Sequence, residues 1–137
     1  MPLALKLPPR SRVILNGCVV RNADRVQTVY VENKADVILE KNLVHRDEVS
    51  GTVAGRLYEM LQTALLAPEL RPSLRPEIQG TIAKLMGILH NDLQTNLMEA
   101  ATHVSVGDYY GAMRCIKPVW AYESDLMEKY GQPELVQ

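Results

Sequence analysis

Arginine and asparagine gather near the start of the chain, at Arg10, Arg12, Asn16, Arg21, Asn22 and Arg25, with Lys34 following. Arginine presents a planar fork of donors that fits a phosphate bidentately, and lysine adds a point charge. Asparagine can read base edges, so these seven residues form a candidate RNA-binding set. Tyr30 is the one aromatic residue among them placed to stack a splayed base. The alternative is that the arginines make a solvated face and the asparagines only take turn geometry.

A second candidate lies near the other end, where Tyr109, Tyr110, Met113, Trp120 and Tyr122 recur at helical spacing. The chain has six Tyr, one Trp and no Phe, so four of its seven aromatics fall within 109–122. Tyr, Trp and Met are enriched at interface cores, which suggests a groove for an apolar helix or a subunit contact. The same stripe also suits an ordinary helical core.

Catalysis finds no such cluster. His45, His90 and His103 lack metal-ligand spacing, and no nucleophile elbow, Walker loop or dinucleotide fingerprint occurs. Cys18 and Cys115 lie far apart and read as buried small apolar residues in a reducing compartment. No catalytic residue, metal or cofactor is expected, and the chain does not read as an enzyme.

The elements that must position these residues follow from the pattern. Alternating Leu3, Leu5 and Leu7, then β-branched runs at 12–16, 18–22, 26–31 and 36–40, predict five strands. Asn16-Gly17 between two apolar runs predicts a type I′ hairpin. Connections this short predict antiparallel neighbours. From about 47 the period changes to that of helices, with apolar positions at Val53, Leu57, Met60, Leu61, Ala64 and Leu65. The Pro-rich segment 67–77 reads as a linker or an irregular helical turn, with a second helix beginning at Pro76 and running to about His90. Asn91 or Asp92 can cap a third helix over 93–106, ended by Gly107. Asp108 caps the last helix, 109–130, in which Pro118 predicts a kink or break near Arg114–Cys115. Residues 131–137 read as a frayed tail.

The fold class is therefore α+β: a small N-terminal antiparallel β-barrel or sandwich, then a bundle of about four helices. Residues 1–46 carry a net charge of +4 and 47–137 one of −5, for −1 overall. The organisation expected is a basic β module, 1–46, and an acidic helical bundle, 47–137, in one continuous body. A basic half and an acidic half could face phosphates and a protein respectively. No signal peptide and no apolar run of membrane-spanning length is present, so a cytoplasmic location without membrane contact is expected.

Three stretches carry a resemblance: LPPRSRVILNGCVVRN (7–22), VENKADVILEKNLV (31–44) and GDYYGAMRCIKPVWAYE (107–123). In order and spacing they resemble FlbT, the flagellar biosynthesis repressor family of alpha-proteobacteria. The matching positions are Asn16, Gly17, Arg21, Asn22 and Arg25, then Gly107, Tyr109, Tyr110, Ala112, Tyr122 and Glu123. The resemblance implies post-transcriptional control of flagellin, by binding the 5′ untranslated region of its mRNA and promoting decay. It implies the flagellin mRNA leader as partner, with flagellin itself or a FlaF-like protein as protein partners; self-association is also open. A flagellin-binding chaperone that affects the mRNA indirectly is the alternative. Val44 to Val49 is further similar to the VHREEI segment by which carbon-storage-regulator proteins contact RNA, which would make Arg46 a contact.

Overall fold

The computed structural model describes residues 2–45 and 51–130, in two compact units, Met1–Leu43 and Val44–Gln137. Arg46 and the tail 131–137 lie outside the described residues.

The first unit forms its strands where the β-branched runs fall: β1 Leu3–Leu7, β2 Arg12–Leu15, β3 Cys18–Arg21, β4 Gln27–Val31 and β5 Val37–Leu39. Asn16 (φ 49°) and Gly17 (φ 84°) are both left-handed, which is the type I′ requirement. The turn closes a β2–β3 hairpin with Leu15 opposite Cys18. Elsewhere chain neighbours do not pair. β1 lies antiparallel to β4 and β2 to β5, giving two sheets, β1-β4 and β3-β2-β5, in place of a closed barrel. The reason is visible between β1 and β2. Pro8 and Pro9 offer no N–H, and Arg10 sits at φ 60°. The Ser11 N–H and Oγ–H both donate to the Pro8 carbonyl, at 3.2 and 2.8 Å. This turn hands the chain to the other sheet. Leu5, Leu7 and Val13 form the buried centre, with Leu15, Val31, Val37 and Leu39 packed around them.

The second unit holds α1 Val53–Leu66, α2 Arg71–Ile88, α3 Leu93–Ser105 and α4 Tyr109–Tyr130. Each helix packs on the next and α4 returns to α1, as the short connections require. Leu57, Leu61, Ile78, Ile82, Leu97, Val104, Met113 and Ile116 are fully buried at its centre, each contributing about 1.5–3 kcal/mol.

Two helical expectations are corrected. Of the two readings of the Pro-rich segment the helical turn holds, at Pro68–Leu70, and α2 begins at Arg71, five residues before Pro76. Pro72 fits the first turn, where its missing N–H is unpaired anyway, and Pro76 forgoes one ladder bond. Arg71 donates from Nε to the Ala64 carbonyl at the end of α1, 2.7 Å, the carbonyl whose helical donor would be the N–H that Pro68 lacks. Nor does Pro118 break α4, which runs continuously through it. Proline disturbs the carbonyls of the preceding turn, and the Asn96 carboxamide of α3 donates to the Cys115 carbonyl at 3.2 Å.

The helix ends are closed as their sequences suggest. Gly107 (φ 82°) ends α3, with the Asp108 N–H on the His103 carbonyl and the Gly107 N–H on that of Val104. Asp108 then caps α4 by accepting the Gly111 N–H at Oδ1, 2.9 Å. Gln62, a lone polar residue on the buried face of α1, donates to and accepts from the Val44 backbone at 2.8 and 3.0 Å.

Gly55 lets α1 approach the Trp120 indole. A Cβ there would lie 2.2 Å from the Thr52 hydroxyl and 2.9 Å from Trp120 Nε1. Gly55→Ala is therefore expected to destabilise this unit by about 1–2 kcal/mol despite its better helix propensity. A urea titration followed by Trp120 fluorescence checks this; unchanged or raised stability would refute the close-approach account.

Candidate nucleic-acid interface

The basic residues of the β unit divide into two ends. At one end the turn before β2 and the turn after β3 are bound together. The Arg10 N–H donates to the Ala23 carbonyl and the Asn22 N–H to that of Ser11, both 2.8 Å. Asn22, only 9% exposed, joins them further. Its Nδ2 lies 3.0, 2.9 and 2.7 Å from the carbonyls of Leu7, Pro8 and Arg25, and its Oδ1 accepts the Ala23 N–H at 2.8 Å. Asn22 is thus the fastener of this end, and its carboxamide is committed within the fold.

Arg10, Arg12, Arg21 and Arg25 stand around that fastener. Arg12 and Arg21 are direct cross-strand partners, so their side chains leave the same face of the sheet. Like charges directly opposite each other are unfavourable. Arg10 lies 3.7 Å from Asp24, but both are largely exposed, so that pair contributes little. Glu40 accepts the Arg12 backbone N–H at 2.6 Å. Among the described residues, Arg12, Arg21 and Arg25 form no ion pair. The result is a cluster of guanidinium groups with little local neutralisation.

Asn16 and Lys34 sit at the other end, roughly four residues or about 13 Å along the strands. Asn16 is tied to the turn before β5: its N–H donates to the Asp36 carbonyl, 2.8 Å, and its Oδ1 accepts the Asp36 N–H, 2.9 Å. Glu32 and Asp36 flank Lys34 in sequence, so this end is not basic. Tyr30, 63% exposed, stands on the outer face of the other sheet. Its neighbour there is Lys6, since Ala4 faces Tyr30 and Lys6 faces Thr28. Sequence reasoning passed over Lys6; its signal was the charged member of an otherwise apolar alternation, LALKL.

The aromatic stripe of α4 also divides. Tyr109 and Met113 are each 1% exposed and belong to the core, which removes them from any accessible interface. Tyr109 is held there by arginines of α2. Its hydroxyl accepts from Arg75 Nε and Nη2 at 3.2 and 3.1 Å, and the Arg71 guanidinium stands 4.9 Å from its ring. Trp120 is half-buried against Tyr58, with ring centroids 5.2 Å apart. Tyr110 is half-buried and Tyr122 exposed.

The remaining polar groups serve the fold. His103 Nδ1 lies 3.0 Å from Asp108 Oδ2, beside Gly111, where a Cβ would meet both. Cys18 is exposed, contrary to the reading of both cysteines as buried. Cys115 is half-buried, and burial followed by the Glu99 carboxylate pushes its thiol pKa up. Among the described residues no cluster of His, Cys, Asp or Glu could hold a metal ion, and no helix is long and apolar enough to cross a membrane.

Residues 3–127 match the family model described as flagellar protein FlbT. The chain belongs to the FlbT family. It is similar to the probable flagellum biosynthesis repressor protein FlbT of Caulobacter sp. (strain K31), 32% identical over 90% of this chain and 94% of that protein. It is also similar to the flagellum biosynthesis repressor protein FlbT of Caulobacter vibrioides (strain ATCC 19089 / CIP 103742 / CB 15), 29% identical over 91% and 89% of the two chains. The probable repressor FlbT of Rhodopseudomonas palustris (strain TIE-1) is 25% identical over 94% of this chain and its own full length. No solved structure matches the chain. Several positions that carry the FlbT resemblance have architectural duties here. Asn16 and Gly17 make the hairpin, Asn22 fastens the arginine end, Gly107 ends α3 and Ala112 fills the core. Arg21 and Arg25 are exposed and have no such duty.

Proposed function

We propose that this chain represses flagellum biosynthesis by binding the 5′ untranslated region of flagellin mRNA at the arginine end of its β unit, promoting decay of the message. The repressor names carried by its relatives support the first half of that reading. The observation that carries the second is the Arg12–Arg21 pair, held face to face across β2 and β3 with no ion pair among the described residues. Such a pair costs stability in the free protein, and a phosphate lying between the two guanidiniums reverses that cost. Arg10 and Arg25 extend the same cluster. The role belongs in the cytoplasm, where the message is. A FlaF-like protein would act as its antagonist.

The test is a titration of the full chain against labelled leader RNA at several salt concentrations. Replacing both Arg21 and Arg25 by Ala is expected to lower affinity about tenfold and the salt slope by about 1.4, at roughly 0.7 per phosphate contact to a single strand. An unchanged affinity and slope would remove the arginine end from the site.

The second reading, a flagellin-binding module acting indirectly on the message, draws on exposed Tyr122 and half-buried Tyr110 and Trp120 of α4. Binding of purified flagellin that Tyr122→Ala weakens, with leader RNA bound only weakly, would favour it.

A further inference from the structure

Among the described residues of its unit, β4 has a free edge. It pairs with β1 on one side only, and Gln27, Thr28, Val29 and Tyr30 are all exposed. Proteins normally protect such an edge with a charge, a proline or a bulge. Lys6 lies in β1, Arg21 in β3, and β5 is only three residues long. Val26 to Val31 has no charge and no proline, and three of its apolar side chains, Val26, Val29 and Tyr30, are exposed.

The sequence around this edge is complementary to itself when run antiparallel. With Val29 on a two-fold axis, Thr28 meets Tyr30 of the second copy and Gln27 meets its Val31. These are the β-branched and aromatic cross-strand pairs that stabilise sheets. Beyond the strand ends the same register brings Asp24 to the level of Lys34 of the second copy, and Arg25 to that of Asn33, beside Glu32. Opposite charges thus meet at both ends, and no like charges face each other.

We propose that two copies of this chain pair through β4, antiparallel about Val29, joining their two-stranded sheets into one four-stranded sheet. A two-stranded sheet is marginal alone, and this pairing doubles it. The pairing has a consequence for the basic site, which rests on the RNA-binding reading above. Lys34 stands at the wrong end of its own unit, but in the pair each Lys34 arrives at the arginine end of the other copy. Each end would then present Arg10, Arg12, Arg21, Arg25 and a lysine from the second chain.

Sedimentation velocity of the full chain without RNA, from about 1 to 100 µM, tests the pairing, since an interface this small gives a weak dimer. A monomer–dimer equilibrium is expected. Thr28→Glu faces Lys6 within its own unit, so the fold is kept, but it sets a charge opposite Tyr30 of the second copy. It should raise the dimer dissociation constant about tenfold or more. Val29→Cys, in a Cys18→Ser background, should form a disulfide-linked dimer on mild oxidation, because residue 29 meets itself. A chain monomeric throughout, or a dimer that Thr28→Glu leaves intact, overturns the proposal; failure of the disulfide overturns the register. Because no RNA is present, these outcomes are independent of leader binding. Lys34→Ala, read separately, should weaken leader RNA binding several-fold in the dimer, and an unchanged affinity would overturn Lys34's contribution.

Discussion

Replacing Glu123 by alanine is expected to lower the stability of the helical unit by about 2–3 kcal/mol. The first N–H groups of a helix have no partner within it. In α1 they are met from α4: the Val53 N–H donates to Glu123 Oε2 at 3.0 Å and the Ala54 N–H to Oε1 at 2.7 Å. The carboxylate spans both donors and its charge opposes the positive end of the helix dipole. Thr52, at the capping position, makes no side-chain cap bond, so little is left to substitute for it. Alanine leaves both donors unpaired. Glutamine keeps one acceptor but turns an amide N–H₂ toward the other donor, so an intermediate loss is expected. Urea unfolding followed by Trp120 fluorescence reads both, with the midpoint falling at an unchanged slope. A shift of less than about 0.5 kcal/mol, the scale of ordinary surface substitutions, would show that water caps α1 equally well.

Asn22→Asp should be the most damaging single change in the β unit, at about 3 kcal/mol. The side chain keeps its size but exchanges its donors for a second oxygen. Three carbonyls, of Leu7, Pro8 and Arg25, then face a carboxylate in a site that is nearly closed to water. Only the contact to the Ala23 N–H survives. Asn22→Ala should cost somewhat less, because it leaves the carbonyls unpaired without setting a charge against them. Amide exchange at Arg10 and Asn22, whose N–H groups close the two turns, should quicken by about two orders of magnitude in the aspartate variant. Leader RNA binding should fall with it although no arginine has been removed, because the four guanidiniums lose their common support. Exchange as slow as in the wild type would mean the backbone bonds alone hold this end.

Much of this architecture could be read from residue types. The β-branched runs and Asn16-Gly17 marked the strands and the one true hairpin, and helical periodicity marked all four helices. The strand partners were less legible. Short connections suggested pairing in sequence, whereas Pro8-Pro9 and the turns around Asn22 route consecutive strands to different sheets. The prolines of 67–77 misled for a related reason. A proline forbids one hydrogen bond, and a helix that is otherwise packed survives that loss, as α2 does through Pro76 and α4 through Pro118. Contacts from other elements, such as the Asn96 carboxamide of α3 on the Cys115 carbonyl in the turn before Pro118, are not visible in local patterns. The candidate site was legible in composition and illegible in grouping. Seven residues looked like one basic face. Folding put four of them at one end, moved Asn16 and Lys34 to the other, and used Asn22 as a strut.

The conformation of Arg10 sets stability and charge against each other. At φ 60° a side chain with a Cβ costs about 1 kcal/mol relative to glycine. Optimising this chain for thermal tolerance alone would therefore write glycine at position 10. The redesigned turn would hold its shape more cheaply while erasing one of the four guanidiniums it presents. A stabilised version intended to keep its ligand must find its gains elsewhere, for instance in the helical unit.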